Sequence, residues 1–248
     1  MRVALVALGL GLAGCQLSLD DVDGVYYAPG MTTRVHCAVN LDSSAETSLA
    51  SIDSGLDRAA RRGEIVELYA HHPGVTVPAS VIEHVLAGAT ARGLAFVTYA
   101  DFAAGTEQYP GIALSFDDTS VDAWVATLPL LAQYGARVTF FVSRYEFLND
   151  EARAGLHTLA AAGHAIEPHT MLHLRAPDYV EQYGLDAYMA KEFEPSQEAL
   201  DAEGFATTAF AYPFGARTDE LDRAILEHVG AVRSVKFTFE GEAGPCPR

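Results

Sequence analysis

Short apolar runs alternate with amphipathic stretches along most of this chain, and that alternation limits the fold more than any other feature. The runs are Ile65–Tyr69, Ala95–Thr98, Ile112–Phe116, Val138–Val142, Ala165–Glu167, Ala209–Tyr212 and Val232–Phe239. Between most of them lie helical patterns at Leu49–Arg62, Ala79–Arg92, Val121–Tyr134, Glu151–Ala162, Leu185–Glu203 and Asp219–His228. Gly93, Gly135, Gly163 and Gly230 stand just past several of these, and Asp219 near the start of another, as helix ends require. Strands separated by helices pair in parallel, because the crossover helix carries the chain back to the same edge. Seven strands are too many for a small open sheet and predict a barrel related to the (β/α)8 type. At 248 residues, half of them apolar and a fifth charged, the chain can bury such a core as one domain. No internal repeat, low-complexity tract or interdomain linker follows Gly30.

The N-terminus reads as an address. Met1–Arg2 precedes the apolar run Val3–Ala13, which ends in Gly14–Cys15. A positive start, an apolar stretch of about ten residues and a small residue before the cut describe a secretory signal. The run is too short to cross a bilayer, which takes about 20 apolar residues. Leu12-Ala13-Gly14-Cys15 resembles the bacterial lipobox. Residues 1–14 are therefore expected to be removed and Cys15 to carry lipid, which makes this an exported lipoprotein of the cell envelope. The alternative is an ordinary signal peptide with an incidental Cys15. Residues 15–30, with their Asp cluster and Gly/Pro, read as a tether, and residues 31–248 as the barrel. An exported compartment permits disulfides, so Cys37 and Cys246 are either a pair or two buried thiols. The chain has 16 Lys+Arg against 33 Asp+Glu, a formal charge of −17. That excess argues against nucleic acid and polyanions, and favours a neutral or cationic ligand.

Barrel chemistry sits where strands end and loops begin. The run from Gly111 ends in Asp117-Asp118, two adjacent carboxylates expected to point to opposite sides, one for a metal and one for a substrate. After Ala165–Glu167 comes His169-Thr170-Met171-Leu172-His173, two imidazoles four residues apart. On one helical turn they would share a face and grip one divalent ion. Two His plus the carboxylate of Asp118, with positions left open, is a catalytic rather than a structural metal pattern. A third tip carries Ala211-Tyr212-Pro213-Phe214-Gly215, where the Phe214 N–H is either an oxyanion donor or part of a plain turn.

These three strings, Ser115-Phe116-Asp117-Asp118, His169-Thr170-Met171-Leu172-His173 and Ala211-Tyr212-Pro213-Phe214-Gly215, resemble in order and spacing the first three motifs of the polysaccharide deacetylases, carbohydrate esterase family 4. The resemblance covers Gly111 to about Val235. It implies a distorted (β/α)7 barrel and metal-dependent removal of acetyl groups from N-acetylated polysaccharide of the N-acetylglucosamine type. Asp117 takes the place of the catalytic base, Asp118, His169 and His173 the places of the metal ligands, and the Phe214 amide that of the oxyanion donor. The metal is expected to be Zn²⁺, with Co²⁺ or Ni²⁺ as substitutes.

Two departures stand out. Ala211 occupies the position where members of the family often carry an Arg oriented toward the base. The chain also stops at Arg248, before the family's usual last strand with its general-acid histidine. Gly63–His71, the helix opening at Val77-Pro78 and Gly93–Thr98 resemble that missing section. A circular permutation is therefore expected, in which residues 31–105 correspond to the family's C-terminal section. In that reading His71 is the general acid, with His72 as fallback, and Cys37 and Cys246 become neighbours. The rival is a surface strand end in an unrelated cap.

Other histidines draw structural readings: His164 as a supporting residue, His84, His157 and His228 on helices, and His36 without a role. Trp124 and the Tyr179–Tyr188 stretch either line a sugar groove or pack the core. Two other functions stay open, a non-catalytic carbohydrate-binding lipoprotein and an O-acetyl esterase or other amidase on the same barrel. A glycosidase fits less well, because paired carboxylates would not need the two histidines.

Overall fold

The computed structural model describes residues 17–236 and Cys246. Its elements are β1 Tyr26–Tyr27, β2 Val35–Asn40, α1 Leu49–Arg62, β3 Ile65–Ala70, α2 Ala79–Ala91, β4 Ala95–Val97, α3 Tyr99–Ala104, β5 Gly111–Asp118 and α4 Val121–Gln133. There follow β6 Thr139–Val142, α5 Asp150–Ala161, β7 Ala165–Pro168, α6 Ala176–Tyr183, α7 Leu185–Tyr188, α8 Glu194–Ala202, β8 Ala209–Ala211, α9 Asp219–Ile225 and β9 Ala231–Lys236. Seven strands run in the order β7-β6-β5-β3-β2-β9-β8, all of their pairings parallel. This is the expected distorted (β/α)7 barrel.

Strand alternation divides the core into two shells. Ile112, Leu114 and Phe116 of β5 face outward and pack with Leu56, Trp124 and Leu131 of the helices. Ala113 faces inward with Ile65, Phe141, Ala209, Ala211 and Ala231. Where the ring ends at β7 and β8, a side chain completes it. Glu167 Oε2 accepts from Thr208 N and Ala209 N at 2.8 and 2.9 Å, and its Oε1 accepts from Thr208 Oγ1 at 3.0 Å.

The ring has seven strands, but not the seven expected. Val35–Asn40 is a full member, in register with β9 from Val35↔Val232 to Val39↔Lys236. Its His, Cys and Asn hide the apolar pattern. Ala95–Val97 pairs only with the first residues of β5, Ala95↔Gly111 to Val97↔Ala113. From Ser115 onward β6 takes the same side of β5, so β4 ends below the ring. The run at Val232–Phe239 forms β9 up to Lys236, and Phe239 lies outside the described residues. The single helix expected over Leu185–Glu203 is interrupted by a π turn at Met189–Phe193. Pro195, at the start of α8, lacks the N–H that an unbroken α-helical ladder needs. Helices α3 and α6 were not anticipated.

The tether reading fails for residues 17–30. Leu19, Val22, Val25 and Tyr26 are buried, Leu19 N donates to Ser51 Oγ at 2.9 Å, and Tyr26–Tyr27 pairs antiparallel with β3. These apolar side chains outweigh the local Asp, Gly and Pro that suggested a loose segment. The signal at 1–14 and Cys15 lie outside the described residues. Cys37 and Cys246 form a disulfide across 209 positions of sequence, worth up to ~5 kcal/mol in the chain-entropy picture of so long a loop. Among the described residues no helix is long and apolar enough to cross a membrane.

Candidate active site

The carboxyl ends of the strands converge on a pocket of about 340 Å³, lined among others by His71, Asp117, Asp118, His169, His173 and Phe214. Asp117 points inward from β5 and is buried. Its Oδ2 pairs with Nη2 of Arg233, a fully buried guanidinium from β9 that also lies over the rings of Tyr69 and Phe141 at 4.8 and 5.1 Å. Burial would lower the Arg233 pKa, but the Asp117 charge outweighs it and keeps the group cationic. Asp118 does not point away from its neighbour as strand alternation predicts. Its φ is 84°, and this left-handed turn brings the second carboxylate into the same pocket as the first.

The histidine pair is likewise not on a helix. His169 to His173 form a loop with left-handed backbone at Thr170 (φ 70°) and His173 (φ 62°), closed by His173 N donating to Thr170 Oγ1 at 3.0 Å. The rings still meet, with centroids 5.0 Å apart. His173 Nε2 lies 3.1 Å and His169 Nε2 3.9 Å from Asp118 Oδ1. His169 Nδ1 is 2.8 Å from the Ala211 carbonyl. A carbonyl only accepts, so the proton sits on Nδ1 and the Nε2 lone pair faces the pocket. Burial, reinforced by the charges of His173 and Arg233, pushes the His169 pKa down to about 4 against the opposing pull of Asp117. It is therefore neutral at physiological pH. Burial alone would raise the Asp118 pKa, but the His173 hydrogen bond and the three nearby imidazoles hold it well below the usual carboxylate range.

The donor set suits a divalent ion. Asp118, His169 and His173 each offer one ligand atom, and these lie within 4.8 Å of one another. One ionised carboxylate and a neutral imidazole with its tautomer fixed are what borderline metals take.

His71 reaches the pocket from the end of β3. Its Nδ1 pairs with Asp42 Oδ2, and its backbone N donates to Asp42 Oδ1 at 3.2 Å. Thr76 Oγ1 donates to the same Oδ1 at 2.7 Å, and Trp124 Nε1 donates to the His71 carbonyl at 3.0 Å. Burial would lower the His71 pKa, but the Asp42 hydrogen bond and the charges of Asp117, Asp42 and Asp118 raise it above the ordinary imidazole value. Phe214 has a φ of 59°. Its ring lies 4.9 Å from that of His173 and is 60% exposed. His72, the fallback, lines a separate depression.

The chain matches the polysaccharide deacetylase family over residues 104–232, just over half its length. It belongs to that family. No curated protein matches. Similar solved structures include IcaB from Ammonifex degensii, 22% identical with a TM-score of 0.55 over 74% of this chain and 88% of that one. The Streptococcus pyogenes deacetylase PplD is 19% identical, TM-score 0.52, over 70% of this chain and 92% of its own. A de-N-acetylase from Aggregatibacter actinomycetemcomitans is 14% identical, TM-score 0.55, over 73% and 96%. At these identities the likeness is one of fold.

The sequence did not point to three supporting residues of this family member. Arg233 faces Asp117 from β9, in register beside Ala211 of β8, the position where the family often has its Arg. The signal was a cation, Arg233, among the buried residues of the strand Ala231–Lys236. Asp42 follows β2, the strand that went unrecognised. Glu192, fully buried in the π turn, accepts from Leu172 N through Oε2 at 2.9 Å and from Met171 N through its carbonyl at 3.0 Å. It thus holds the histidine loop from behind. Trp124 is fully buried and belongs to the core. His164, stacked edge-on to Phe140 at 5.5 Å and pushed by burial to a pKa of about 4, is structural.

Proposed function

We propose that this protein is a metal-dependent hydrolase that removes acetyl groups from an N-acetylated envelope polysaccharide of the N-acetylglucosamine type. The observation that carries the reading is the convergence of Asp117, Asp118, His169, His173 and His71 on one pocket of a polysaccharide deacetylase barrel. Asp118, His169 and His173 would hold the ion, Zn²⁺ by donor type with Co²⁺ or Ni²⁺ as substitutes, which supplies Lewis acidity and an activated water. Asp117, held in place by Arg233, is the base that takes the proton of the attacking water. His71, whose pKa the Asp42 hydrogen bond raises against the effect of burial, gives a proton to the departing nitrogen. The Phe214 N–H donates to the oxygen that becomes negative. Acetate and a free amine result.

The ring order supports the circular permutation. Read around the barrel from β5, it runs β6, β7, β8, β9 and then returns to β2 and β3 from the front of the chain. His71 thereby sits on the strand between the chain's last section and β5, where a C-terminal section would lie. The lipid anchor on Cys15 remains our reading of the lipobox. It would hold the barrel close to the membrane, because Cys15 is only about 7 Å of extended chain from Leu17, where the packed segment begins.

Acetate release from N-acetylglucosamine oligomers by a soluble form, residues 16–248 with Zn²⁺ or Co²⁺, tests the reading. Metal-dependent release that falls by about 10²–10⁴ in Asp117→Asn is expected. Metal binding without release would leave a sugar-binding protein, and release from aryl acetates alone would make it an esterase.

A further inference from the structure

At the amino ends of the strands, away from the catalytic pocket, lies a second cavity of about 180 Å³. That is the space of about six waters at ~30 Å³ each, and less than the ~300–1,000 Å³ of a site for a drug-sized ligand. It suits a small molecule or ion and is too small for a polymer. Tyr26, Tyr27, Met31, Thr33, His36 and Glu67 are among its lining residues. None of them has a part in the reaction proposed above. Two are titratable groups set deep in the barrel, His36 at 3% and Glu67 at 2% exposure.

The protons of these side chains are already committed. Tyr26 donates its hydroxyl to the Leu19 carbonyl at 2.9 Å and Tyr27 to that of Met31 at 2.8 Å. Thr33 Oγ1 donates to the Val35 carbonyl at 3.2 Å. His36 Nδ1 lies 3.1 Å from Glu67 Oε1. A carboxylate accepts, so that ring proton sits on Nδ1. Nε2 is left with a lone pair and has no partner among the described residues. What these side chains still offer is acceptors, one carboxylate charge, tyrosine rings and the thioether of Met31, which is 43% exposed.

The field at the cavity is negative as well. Burial raises the Tyr27 pKa first, and the charges of Glu107 and Glu67 raise it further. The neighbouring cations are turned to other partners. Arg34 donates to the carbonyls of Leu226, Val229 and Gly230. Arg58 lies over the Tyr26 ring at 3.7 Å but pairs with Glu64, and neither arginine lines the cavity. Acceptors and aromatic rings without a free side-chain donor complement a cation that carries its own N–H groups.

We infer that this amino-end cavity is a second ligand site, which takes a small primary ammonium ion whose N–H groups donate to His36 Nε2 and the Glu67 carboxylate. The inference stands apart from the deacetylase reading.

Calorimetric titration of the soluble form, residues 16–248, with n-butylammonium and with tetramethylammonium tests it at about pH 8, above the ordinary imidazole range. The primary ion should bind at least about tenfold more tightly, because the quaternary ion has no N–H to donate. Glu67→Gln removes the charge and should weaken n-butylammonium by about tenfold or more. Met31→Lys brings a competing cation to an exposed position, leaves the buried groups alone and should have an effect of the same size. Asp117→Asn, in the catalytic pocket, should leave the affinity unchanged. Circular dichroism reports whether each variant is folded, and if Glu67→Gln is not, Met31→Lys decides. No binding, equal binding of the two ions, affinity kept in a folded Glu67→Gln or Met31→Lys, or affinity lost in Asp117→Asn would each overturn the site.

Discussion

The barrel interior holds a histidine–carboxylate group at each end, and the two are built differently. At the amino end of the strands His36 Nδ1 lies 3.1 Å from Glu67 Oε1, and Tyr99 donates to Glu67 Oε2 at 2.8 Å. The rings of Tyr27 and Phe102 cover His36 with centroids 4.9 and 4.2 Å away. Each polar group there has found its partner in regular backbone. At the carboxyl end the groups, though several are paired, also converge on one pocket. Among the described residues, Asp118, Thr170, His173 and Phe214 account for four of the six non-glycine residues with left-handed backbone. Such conformations cost about 1–3 kcal/mol each and persist only where the surroundings fix them. Buried histidine and acid together do not make a site. The departure from regular strand geometry, which turns side chains that would alternate toward one point, is what separates the two ends.

The strongest way to break this comparison is at His71, the group at the carboxyl end whose proposed role requires a proton. His71→Ala should lower kcat by about 10²–10⁴ while leaving metal binding intact. Asp42→Asn is the finer probe. With His71 as the proposed acid, turnover should fall as pH rises through its pKa, because only the protonated ring can give its proton to the leaving nitrogen. Burial lowers that pKa, and Asp42 and the pocket carboxylates raise it past the ordinary value. Removing the Asp42 charge should therefore shift the alkaline fall of the pH–rate profile to lower pH. An unshifted profile would mean that another group is the acid.

The same contrast explains what could be read from sequence. The motifs at Asp117-Asp118, His169–His173 and Ala211–Gly215 lie within contiguous stretches, so the elements of the carboxyl-end site and its family were legible before the fold. The backbone that makes them converge was not. Asp118 follows a strand pattern and His169–His173 a helical spacing, and periodicity cannot announce a left-handed turn at a non-glycine residue. The supporting residues were hidden for another reason. Arg233 lies 116 positions from Asp117, and Asp42 depends on β2, whose inward-facing His36 spoils the apolar run that marks a strand. At the front of the chain, apolar residues spaced through Asp-rich sequence read as a tether because their partners in α1 and β3 come later.

Glu192 sharpens the contrast next, with a smaller effect. It touches neither ligand nor pocket, yet its carboxylate and carbonyl accept two N–H groups of the loop between His169 and His173. Residues that orient metal ligands from behind are worth about 10–100-fold in metal affinity. Glu192→Ala should weaken Zn²⁺ binding by that factor, measured by chelator competition, with secondary structure retained by circular dichroism. Glu192→Gln, whose amide oxygen can still accept from Leu172 N, should recover part of the loss. Equal affinity in all three proteins would show that the left-handed loop holds its shape without the π turn.

The smallest effect on function is expected at the amino end, and it separates stability from catalysis. Glu67 is buried between His36 and Tyr99, and both of its oxygens accept hydrogen bonds. Glu67→Gln keeps the shape but replaces one acceptor with a donor, setting an NH₂ against either the His36 nitrogen or the Tyr99 hydroxyl. An unsatisfied buried group costs about 1–3 kcal/mol, and urea unfolding should show that loss. Metal affinity and kcat should stay close to wild type, because the carboxyl-end groups are held by Arg233, Asp42, Ala211 and Glu192 and by no atom of Glu67. If Glu67→Gln instead lowers kcat as far as it lowers stability, the two ends of the barrel are one coupled network, and the division between a paired end and a converging end is wrong.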